Sequence, residues 1–382
     1  MKTILIVEDD LAIVRGLSDN LEREGYKVIV ERDGLKGYER ALAEQPDLVI
    51  LDVMLPTIDG FEVCSLLKRE LLSAPIFLLT GLTQERSRLE GLAHGADDYI
   101  AKPFSVEELI LRIGNALKHR DQIRGRTKSL EEEFLKARRI QIASVPKTSP
   151  SIKGLDVFGK SVPATYVGGD YFDYIRLDRN KLGIVIADVS GKGMPAALYV
   201  QKMQGIIRSS PPEVTSAGEI LLRLQQHLSD SMDSTSFVTA AVCVIDSAQQ
   251  IMEVAQAGHT PGLLVRKGKV RLLKPAGVWI GKTSSDIFDQ HLTPLSMGLE
   301  KKDSVVFFSD GITEAKNGKG MEFGLSRLKK TVTASKGDAR TLVEDCLQAV
   351  KDFVGTEPQL DDITVIAAKF ASISQSPKGG QS

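Results

Sequence analysis

The chain has 382 residues, with 49 Lys and Arg against 50 Asp and Glu, so its formal net charge is −1. This length predicts two domains and a connector rather than one core, and the balanced charge argues against a nucleic-acid partner. The three cysteines, Cys64, Cys243 and Cys346, lie far apart without metal-ligand spacing, as expected in a reducing compartment. The N-terminal sequence becomes acidic at Glu8, and no apolar run is long enough to cross a bilayer. These two features predict a cytoplasmic protein without a membrane partner.

The first part of the chain alternates short apolar runs with segments whose apolar residues recur at helical spacing. The runs are 4–7, 28–30, 48–51, 76–79 and 99–100. Five strands joined by crossover helices predict an α/β fold with a doubly wound, parallel, five-stranded sheet. In such a sheet, functional side chains gather at the carboxyl ends of the strands.

Polar residues follow these runs at the predicted carboxyl ends. Glu8 and Asp9 come directly after the first run, Asp52 ends the third, Thr80 ends the fourth and Lys102 follows the fifth. Three carboxylates on one rim repel one another, so the cluster is favourable mainly when it holds a hard divalent cation. A carboxylate beside Mg²⁺ and a lysine can attack a phosphorus centre and keep the phosphoryl group, which brings about −1.5 to −2 charge.

Four motifs in this region resemble those of a two-component response-regulator receiver domain: IVEDD (6–10), LDVMLPTIDG (51–60), LLTG (78–81) and DDYIAKPF (97–104). The resemblance implies a site composed of Asp52 as phosphoacceptor, Glu8, Asp9 and the Met54 carbonyl as further Mg²⁺ ligands, Thr80 and Tyr99 as a switch pair, and Lys102 as the partner of the phosphate. It also implies a sensor histidine kinase or a phosphotransfer protein as the phosphoryl donor. Asp10 is an additional acid whose role stays open.

Residues 105–145 carry no strand signal and read as one long polar helix. A heptad seam is formed by Leu109, Ala116, Ile123, Leu130 and Ala137, and its companion positions are Ile113, Arg120, Thr127, Phe134 and Gln141. Because only two of the five companions are apolar, two interpretations are open. The favoured one is a parallel coiled coil that makes a homodimer, and the other is a solvated spacer helix packed on its own domains.

Beyond Pro146 the pattern changes to longer strands with few crossovers. The strand-like runs are 184–188, 238–246, 251–257, 305–310 and 363–370, and the helical segments are 195–208, 217–231, 325–334 and 339–353. Strands grouped apart from helices predict an α+β layered domain, an αββα sandwich. The Ser-, Gly- and Lys-rich tail 372–382 is predicted to be disordered.

Four acidic motifs recur in this half: VGGDYFD (167–173), IADVSGKGMPAAL (186–198), FFSDGITEA (307–315) and LDDITV (360–365). Asp188 precedes a Ser-Gly-Lys-Gly turn and Asp310 precedes Gly311, so both carboxylates lie at open backbone. A set of oxygen ligands without clustered His or Cys favours Mg²⁺ or Mn²⁺ over zinc. Two such ions, about 3.5–4 Å apart, can share a water, lower its pKa and present it in line with a phosphate ester.

These motifs resemble the metal-dependent protein phosphatases of the 2C type, and most closely their bacterial SpoIIE-like branch, which acts in partner-switching control of sigma factors. The segments 137–146, 237–246 and 257–265 extend the match. The resemblance implies a site with two Mn²⁺ or Mg²⁺ ions. Asp188 would bridge both ions with the help of the Val189 carbonyl, and Asp310 and Asp361 would hold the first ion. Asp170 would hold a metal or its water, and Asp173 is a weaker candidate. The segment 277–281 departs from the branch, which more often has a proline-leucine pair before the second glycine.

Two further polar residues, His259 and Lys192, each have two possible roles. His259 is either structural or a general acid, and Lys192 either steers phosphate or is a solvated turn lysine. Asp178, Asp246 and Asp303 are interpreted as turn acids.

Together the patterns predict a receiver domain at 1–120, a helical linker at 121–150, a phosphatase domain at 151–371 and the tail. The expected output is dephosphorylation of phosphoserine or phosphothreonine on a small regulatory protein, with an anti-sigma-factor antagonist as the family's usual substrate. The alternative is a non-catalytic, phosphorylation-switched adaptor in the same pathway, which would not need the intact acid set. A DNA-binding regulator is disfavoured because no basic helix-turn-helix segment remains.

Overall fold

Residues 1–70, 73–81 and 94–370 are described by a computed structural model. The chain divides into two units, Met1–Glu132 and Glu133–Ser382, and the boundary falls inside the predicted linker. The tail 372–382, predicted to be disordered, lies outside the described residues. Among the helices of the described ranges, none combines the length and the apolar character needed to cross a membrane.

The first unit contains a parallel five-stranded sheet, as the alternating pattern predicted. Its strands are β1 (Thr3–Val7), β2 (Lys27–Glu31), β3 (Leu48–Asp52), β4 (Ile76–Thr80) and β5 (Asp98–Ala101). The strand order is β2-β1-β3-β4-β5, and every pairing is parallel. The order reverses between β1 and β3, which is where a doubly wound sheet opens a crevice at its carboxyl edge.

Helices on both faces of this sheet begin at aspartate caps. The helices are α1 (Leu11–Arg23), α2 (Gly34–Glu44) and α3 (Gly60–Arg69). Asp10, Asp33 and Asp59 accept hydrogen bonds from the first-turn amides of these helices, which satisfies donors that have no partner within a helix. Asp10, whose role the sequence left open, is therefore a helix cap.

A single long helix, α4 (Val106–Ser144), follows the parallel sheet. Its Leu109 and Ile113 are buried in the core of the first unit, and Arg120 bonds the Asp47 carbonyl oxygen at 2.6 Å. In the second unit, Phe134 stacks on Tyr166 with ring centroids 5.8 Å apart. Both ends of the heptad seam thus pack on their own units, as in the spacer-helix interpretation.

The middle of α4 differs from its ends. Residues 121–133 are all exposed, including Ile123 at 52% and Leu130 at 54%. Because Leu109 and Ile113 are buried in the core of the first unit, a coiled coil cannot begin at Leu109 without displacing them. The homodimer stays a prediction, now restricted to this exposed middle.

The second unit contains two antiparallel five-stranded sheets. The strands are β6 (Leu155–Val162), β7 (Asp170–Arg176), β8 (Lys181–Val189), β9 (Val238–Asp246), β10 (Ile251–Ala257), β11 (Gly262–Arg266), β12 (Lys269–Leu273), β13 (Leu295–Gly298), β14 (Ser304–Phe308) and β15 (Ile363–Phe370). One sheet has the order β13-β10-β9-β8-β7 and the other β12-β11-β14-β15-β6.

Helices cover the outer faces of the two sheets. They are α5 (Met194–Arg208), α6 (Ala217–Leu228), a 3₁₀ turn (Ser229–Ser231), α7 (Ser285–His291), α8 (Asp310–Thr313), α9 (Gly324–Ala334) and α10 (Ala339–Val354). One core lies between the sheets, a second lies under α5 and α6, and a third lies under α9 and α10. This layering confirms the predicted αββα sandwich.

Candidate functional sites

The first candidate site lies at the carboxyl edge of the parallel sheet. Oxygens of Glu8, Asp9 and Asp52 all lie within 4.8 Å of one another. The Lys102 ammonium lies 2.7 Å from Glu8 Oε2 and 3.0 Å from Asp52 Oδ1. Glu8 and Asp52 are buried while Asp9 is exposed, so the cluster opens to solvent on one side, and its oxygen ligands suit a hard divalent cation.

The two buried carboxylates of this site share one lysine, Lys102. Burial raises the pKa of Glu8, and the charge of Asp52 adds to this effect, while Lys102 opposes it. Burial acts to lower the pKa of Lys102, but hydrogen bonds to Glu8 and Asp52 outweigh it, so this pKa is raised. Lys102 therefore stays charged, and it holds both buried carboxylates.

Three further residues predicted for this site lie around the cluster. Thr80 ends β4 and is fully buried. Tyr99 lies in β5 opposite Leu78, and its hydroxyl is buried with no hydrogen-bond partner among the described residues. Met54 lies in the loop after β3 with its side chain exposed. The structure thus brings Glu8, Asp9, Asp52 and Lys102 together directly, whereas the Tyr99 hydroxyl forms no hydrogen bond to them within the described ranges.

The second candidate site lies at one end of the β-sandwich, where both sheets deliver acids. Asp170, the first residue of β7, lies directly opposite Asp188 in β8. From the other sheet, Asp310 begins α8 just after β14, and Asp361 lies just before β15. Val189 ends β8, and its carbonyl oxygen lies against Gly169. Four acids from distant parts of the chain are therefore neighbours.

Electrostatics show how strongly these acids interact. Burial raises the pKa of Asp188 to about 7, and the charges of Asp310 and Asp361 add to this effect. Burial, followed by the charge of Asp188, raises the pKa of Asp170 well above its usual range. Oδ2 of Asp170 is buried without a hydrogen-bond partner in the described part of the chain. A repelling acid cluster with an orphaned oxygen fits the binding of hard divalent cations.

This second set is more open than the first. Within residues 1–70, 73–81 and 94–370, no trio of its carboxylates meets the 4.8 Å spacing of the Glu8, Asp9 and Asp52 cluster. Lys192 lies at its edge, with Nζ 3.1 Å from Asp361 Oδ2 and 2.6 Å from the Leu360 carbonyl oxygen. Open spacing is expected of a site for two ions, because its ligands are spread over both.

Asp362 is a residue of the second site that the sequence analysis missed. It accepts hydrogen bonds from the backbone amides of Ala164 at 2.8 Å and Gly169 at 2.6 Å. A Cβ at Gly168 would collide with the Asp362 carboxylate, so glycine is required there. Gln141 of α4 holds the same glycine by two bonds, accepting from its amide at 3.0 Å and donating to its carbonyl at 2.7 Å. The loop that aims Asp170 is thus fixed from two sides.

Asp173, the weaker candidate, lies away from this set. It accepts hydrogen bonds from Tyr171 Oη at 2.9 Å and Arg208 Nε at 3.0 Å. Residues three apart in a strand point to opposite faces, so Asp173 cannot share the face of Asp170. Its role is to anchor α5 to the sheet through Arg208.

His259 is buried close to the second site. Its Nδ1 lies 2.9 Å from Thr239 Oγ1, and Thr239 lies directly opposite Asp188. Burial lowers the pKa of His259 to about 4, so the ring is neutral near pH 7. A neutral, buried ring fits a structural role better than that of a general acid.

The acids read as turn residues have local partners. Asp246 accepts from the amides of Ala248 and Gln249, and Asp178 accepts from the amide of Arg179. Asp303 pairs with Arg266 at 2.6 Å.

Each of the two units is similar to a known protein family. The family model for the response regulator receiver domain matches residues 4–114. The model described as Stage II sporulation protein E (SpoIIE) matches residues 178–371, about half of the chain. The PP2C domain of SiaA from Pseudomonas aeruginosa has the same fold, with a TM-score of 0.57 at 22% identity over 64% of this chain and 98% of that chain.

Curated relatives match a smaller part of the chain. It is 41% identical over 169 residues to the DNA-binding dual master transcriptional regulator RpaA of Synechocystis sp., which is 44% of this chain and 67% of RpaA. It is 47% identical over 122 residues to the alkaline phosphatase synthesis transcriptional regulatory protein PhoP of Bacillus subtilis, which is 32% of this chain and 50% of PhoP. The chain thus spans about half to two thirds of the length of these relatives.

The parallel sheet with its acid pocket and the αββα sandwich define a receiver domain followed by a PP2C-like domain. The chain belongs to the SpoIIE family.

Proposed function

We propose that this protein is a response regulator whose output is the metal-dependent dephosphorylation of phosphoserine or phosphothreonine on a regulatory protein. The observation that carries the proposal is the meeting of acids from both sheets at one end of the sandwich. There Asp188 faces Asp170 and is repelled by Asp310 and Asp361. Such a set is favourable only when cations neutralise it.

Each residue of the second site has a role in this proposal. Two Mn²⁺ or Mg²⁺ ions would be held by Asp188 with the Val189 carbonyl. Asp310 and Asp361 would complete the ligands of the first ion, and Asp170 would hold a metal or its water. When bound, the ions supply a water whose pKa is lowered, and their positive charge attracts the phosphate oxygens. Asp362 keeps the backbone before Asp170 in place, so that this carboxylate is aimed before any cation binds.

The receiver site would take its phosphoryl group from a sensor histidine kinase or a phosphotransfer protein. Asp52 Oδ attacks the phosphorus of a phosphohistidine, and the new O–P bond forms as the P–N bond breaks and the imidazole nitrogen takes up a proton. Glu8, Asp9 and the Met54 carbonyl would complete a Mg²⁺ site with Asp52. Lys102, 3.0 Å from Asp52 Oδ1, would then pair with the phosphate.

Control of the output would pass through α4. We infer that phosphate at Asp52 draws in Thr80 and reorients Tyr99, which alters how the first turns of α4 pack in the receiver core. At its other end, α4 bonds Gly168 through Gln141, two residues before Asp170. Activation is the expected sign, by resemblance to the SpoIIE-like branch.

The remaining partners follow from the same resemblance. The substrate would be a phosphorylated anti-sigma-factor antagonist or a similar small protein, since that is the usual substrate of the branch. The exposed middle of α4, with Ile123 and Leu130, would associate two copies into a homodimer.

Phosphatase activity is tested with the full chain and a phosphoserine protein in the presence of Mn²⁺ or Mg²⁺. Hydrolysis should stop when a chelator is added, and Asp310→Asn should lose most of the rate, on the order of 10²-fold or more, because an ion loses a ligand. Asp178→Asn, an exposed turn acid, is the matched control and should keep the rate. Full activity of Asp310→Asn would contradict the two-metal mechanism. A wild-type protein that binds the phosphoprotein without hydrolysing it would favour the alternative, a non-catalytic adaptor.

A further inference from the structure

An aromatic pair lies exposed beside the second site and belongs to none of its ligands. Phe237 is 39% exposed and Trp279 is 55% exposed. Their ring centroids are 5.9 Å apart, with the planes tilted by 49°. Two large rings left in water next to each other form the kind of surface that proteins use for binding, because covering them is strongly favourable.

Strand register places Phe237 on the same sheet face as Asp188. Thr239 lies directly opposite Asp188 across β8 and β9, and Phe237 precedes Thr239 by two residues, so these side chains share a face. The Ser190 amide donates to the Phe237 carbonyl at 2.9 Å, and the Phe237 amide donates to Ser190 Oγ at 2.8 Å. The strand pairing therefore continues to Phe237, which becomes the diagonal neighbour of Asp188 at about 7–8 Å.

Backbone contacts fix Trp279 next to Phe237. Ile280 and Val238 exchange two backbone hydrogen bonds of 2.8 and 2.9 Å. Gly258 has a φ of 68°, and a Cβ there would lie 3.2 Å from the Trp279 nitrogen, so the two backbones meet closely. The loop is thus held by its neighbours while the indole stays exposed. This is the segment 277–281 in which the sequence departs from the SpoIIE-like branch.

We propose that Phe237 and Trp279 form a docking surface for an apolar side chain that flanks the phosphorylated serine or threonine of the substrate protein. The inference rests on the proposed phosphatase function. An extended chain advances about 3.3–3.6 Å per residue, so a phosphoserine held at the acid set brings the residue two positions away to the aromatic pair. Lys192 at the edge of the acid set supplies a positive charge for the phosphate itself.

The test uses two phosphoserine peptides that differ at one kind of position. Both have the same length and charge, and they carry either leucine or serine two residues before and two residues after the phosphoserine. With Mn²⁺, the wild type should hydrolyse the leucine peptide at a lower KM. Trp279→Ala should raise that KM about 5- to 10-fold with little change in kcat, and should leave the serine peptide unchanged.

Two variants serve as controls for this experiment. Trp279→Phe should keep most of the preference, because it retains an aromatic ring. Ile251→Ala removes a side chain of similar exposure, 44%, at the far end of the same sheet, where Ile251 pairs with Asp246. It should keep the full preference for the leucine peptide.

A second measurement is independent of hydrolysis, because Trp279 is the only tryptophan in the chain. A non-hydrolysable phosphonate analogue of the leucine peptide should shift the protein fluorescence to shorter wavelength, and Phe237→Ala should weaken this binding about 5-fold or more. Equal KM ratios in wild type and Trp279→Ala, with no fluorescence shift, would overturn the docking surface. Saturable binding by fluorescence without hydrolysis of either peptide would support the surface and reject the phosphatase.

Discussion

The two carboxylate sets of this protein differ in how their charge is balanced. In the receiver, Lys102 lies within 3.0 Å of both buried acids, Glu8 and Asp52. In the sandwich, Lys192 pairs with Asp361, and both partners are about half exposed. Asp188 lies opposite Asp170, and neither carboxylate forms an ion pair within residues 1–70, 73–81 and 94–370. The receiver site is therefore assembled before any metal binds, whereas the sandwich site stores repulsion that cations would relieve.

The first prediction removes the acceptor of the compact set and has the largest expected effect. A small phosphodonor with Mg²⁺ should label the protein at one acid-stable, base-labile site, and Asp52→Asn should lose all of that label. The reason is that Asp52 is the buried carboxylate that joins the Glu8 and Asp9 cluster to Lys102. Asp19→Asn, an exposed acid of α1, is the control. Label retained in Asp52→Asn would mean that another residue is the acceptor.

The second prediction compares the two lysines directly. Lys102→Met leaves two buried carboxylates without their cation, so the free energy of unfolding of the receiver should fall by about 2–4 kcal/mol. Lys192→Met breaks one exposed pair, so the sandwich should lose less than about 1 kcal/mol. Urea unfolding followed by circular dichroism measures both, and the fluorescence of Trp279 identifies the transition of the second unit.

Two outcomes would contradict this contrast. Equal losses in the two variants would mean that the receiver acids are not held by Lys102. A loss in Lys102→Met that Mg²⁺ fails to reduce would mean that the cluster does not bind a cation in place of the lysine.

The sequence predicted the receiver better than the long helix. Polar residues end or directly follow four strands of the parallel sheet, β1, β3, β4 and β5, so the five side chains of the pocket could be placed on one rim from their positions alone. In α4, apolar residues seven apart predict a helix face but not what covers it. Leu109 and Ile113 turned out to be covered by the receiver core, which periodicity cannot distinguish from a partner helix.

The sequence indicated only some residues of the sandwich site, because some of its signals are local and other contacts join distant parts of the chain. Asp188 and Asp310 follow strands and precede glycine turns, which are local signals. Asp362 acts on the amide of Gly169, 193 positions earlier in the chain, and no local pattern reports such a contact. The exclusion of Asp173 was available from the sequence, because residues three apart in a strand lie on opposite faces.

The third prediction concerns the repulsion in the sandwich site and has the smallest effect. In the unfolded chain Asp188 ionises near its ordinary pKa, and in the folded protein at a pKa of about 7. Between these values the folded protein keeps a proton that the unfolded chain has lost, so the free energy of unfolding falls as the pH rises. Asp188→Asn cannot ionise and escapes this loss. With chelator present, the variant should therefore be more stable than wild type by about 1–3 kcal/mol at pH 8, and the difference should shrink towards pH 5.

Mn²⁺ should reverse the order at pH 8, because wild type gains the binding free energy of the ions and the variant lacks one of the carboxylates that would hold them. The measurement is urea unfolding followed by Trp279 fluorescence at both pH values, with Asp178→Asn as an exposed control that should follow wild type throughout. A stability difference that does not change between pH 5 and pH 8 would mean that Asp188 is ionised over the whole range. The acids of the sandwich would then be balanced without metal, and the contrast with the receiver would disappear.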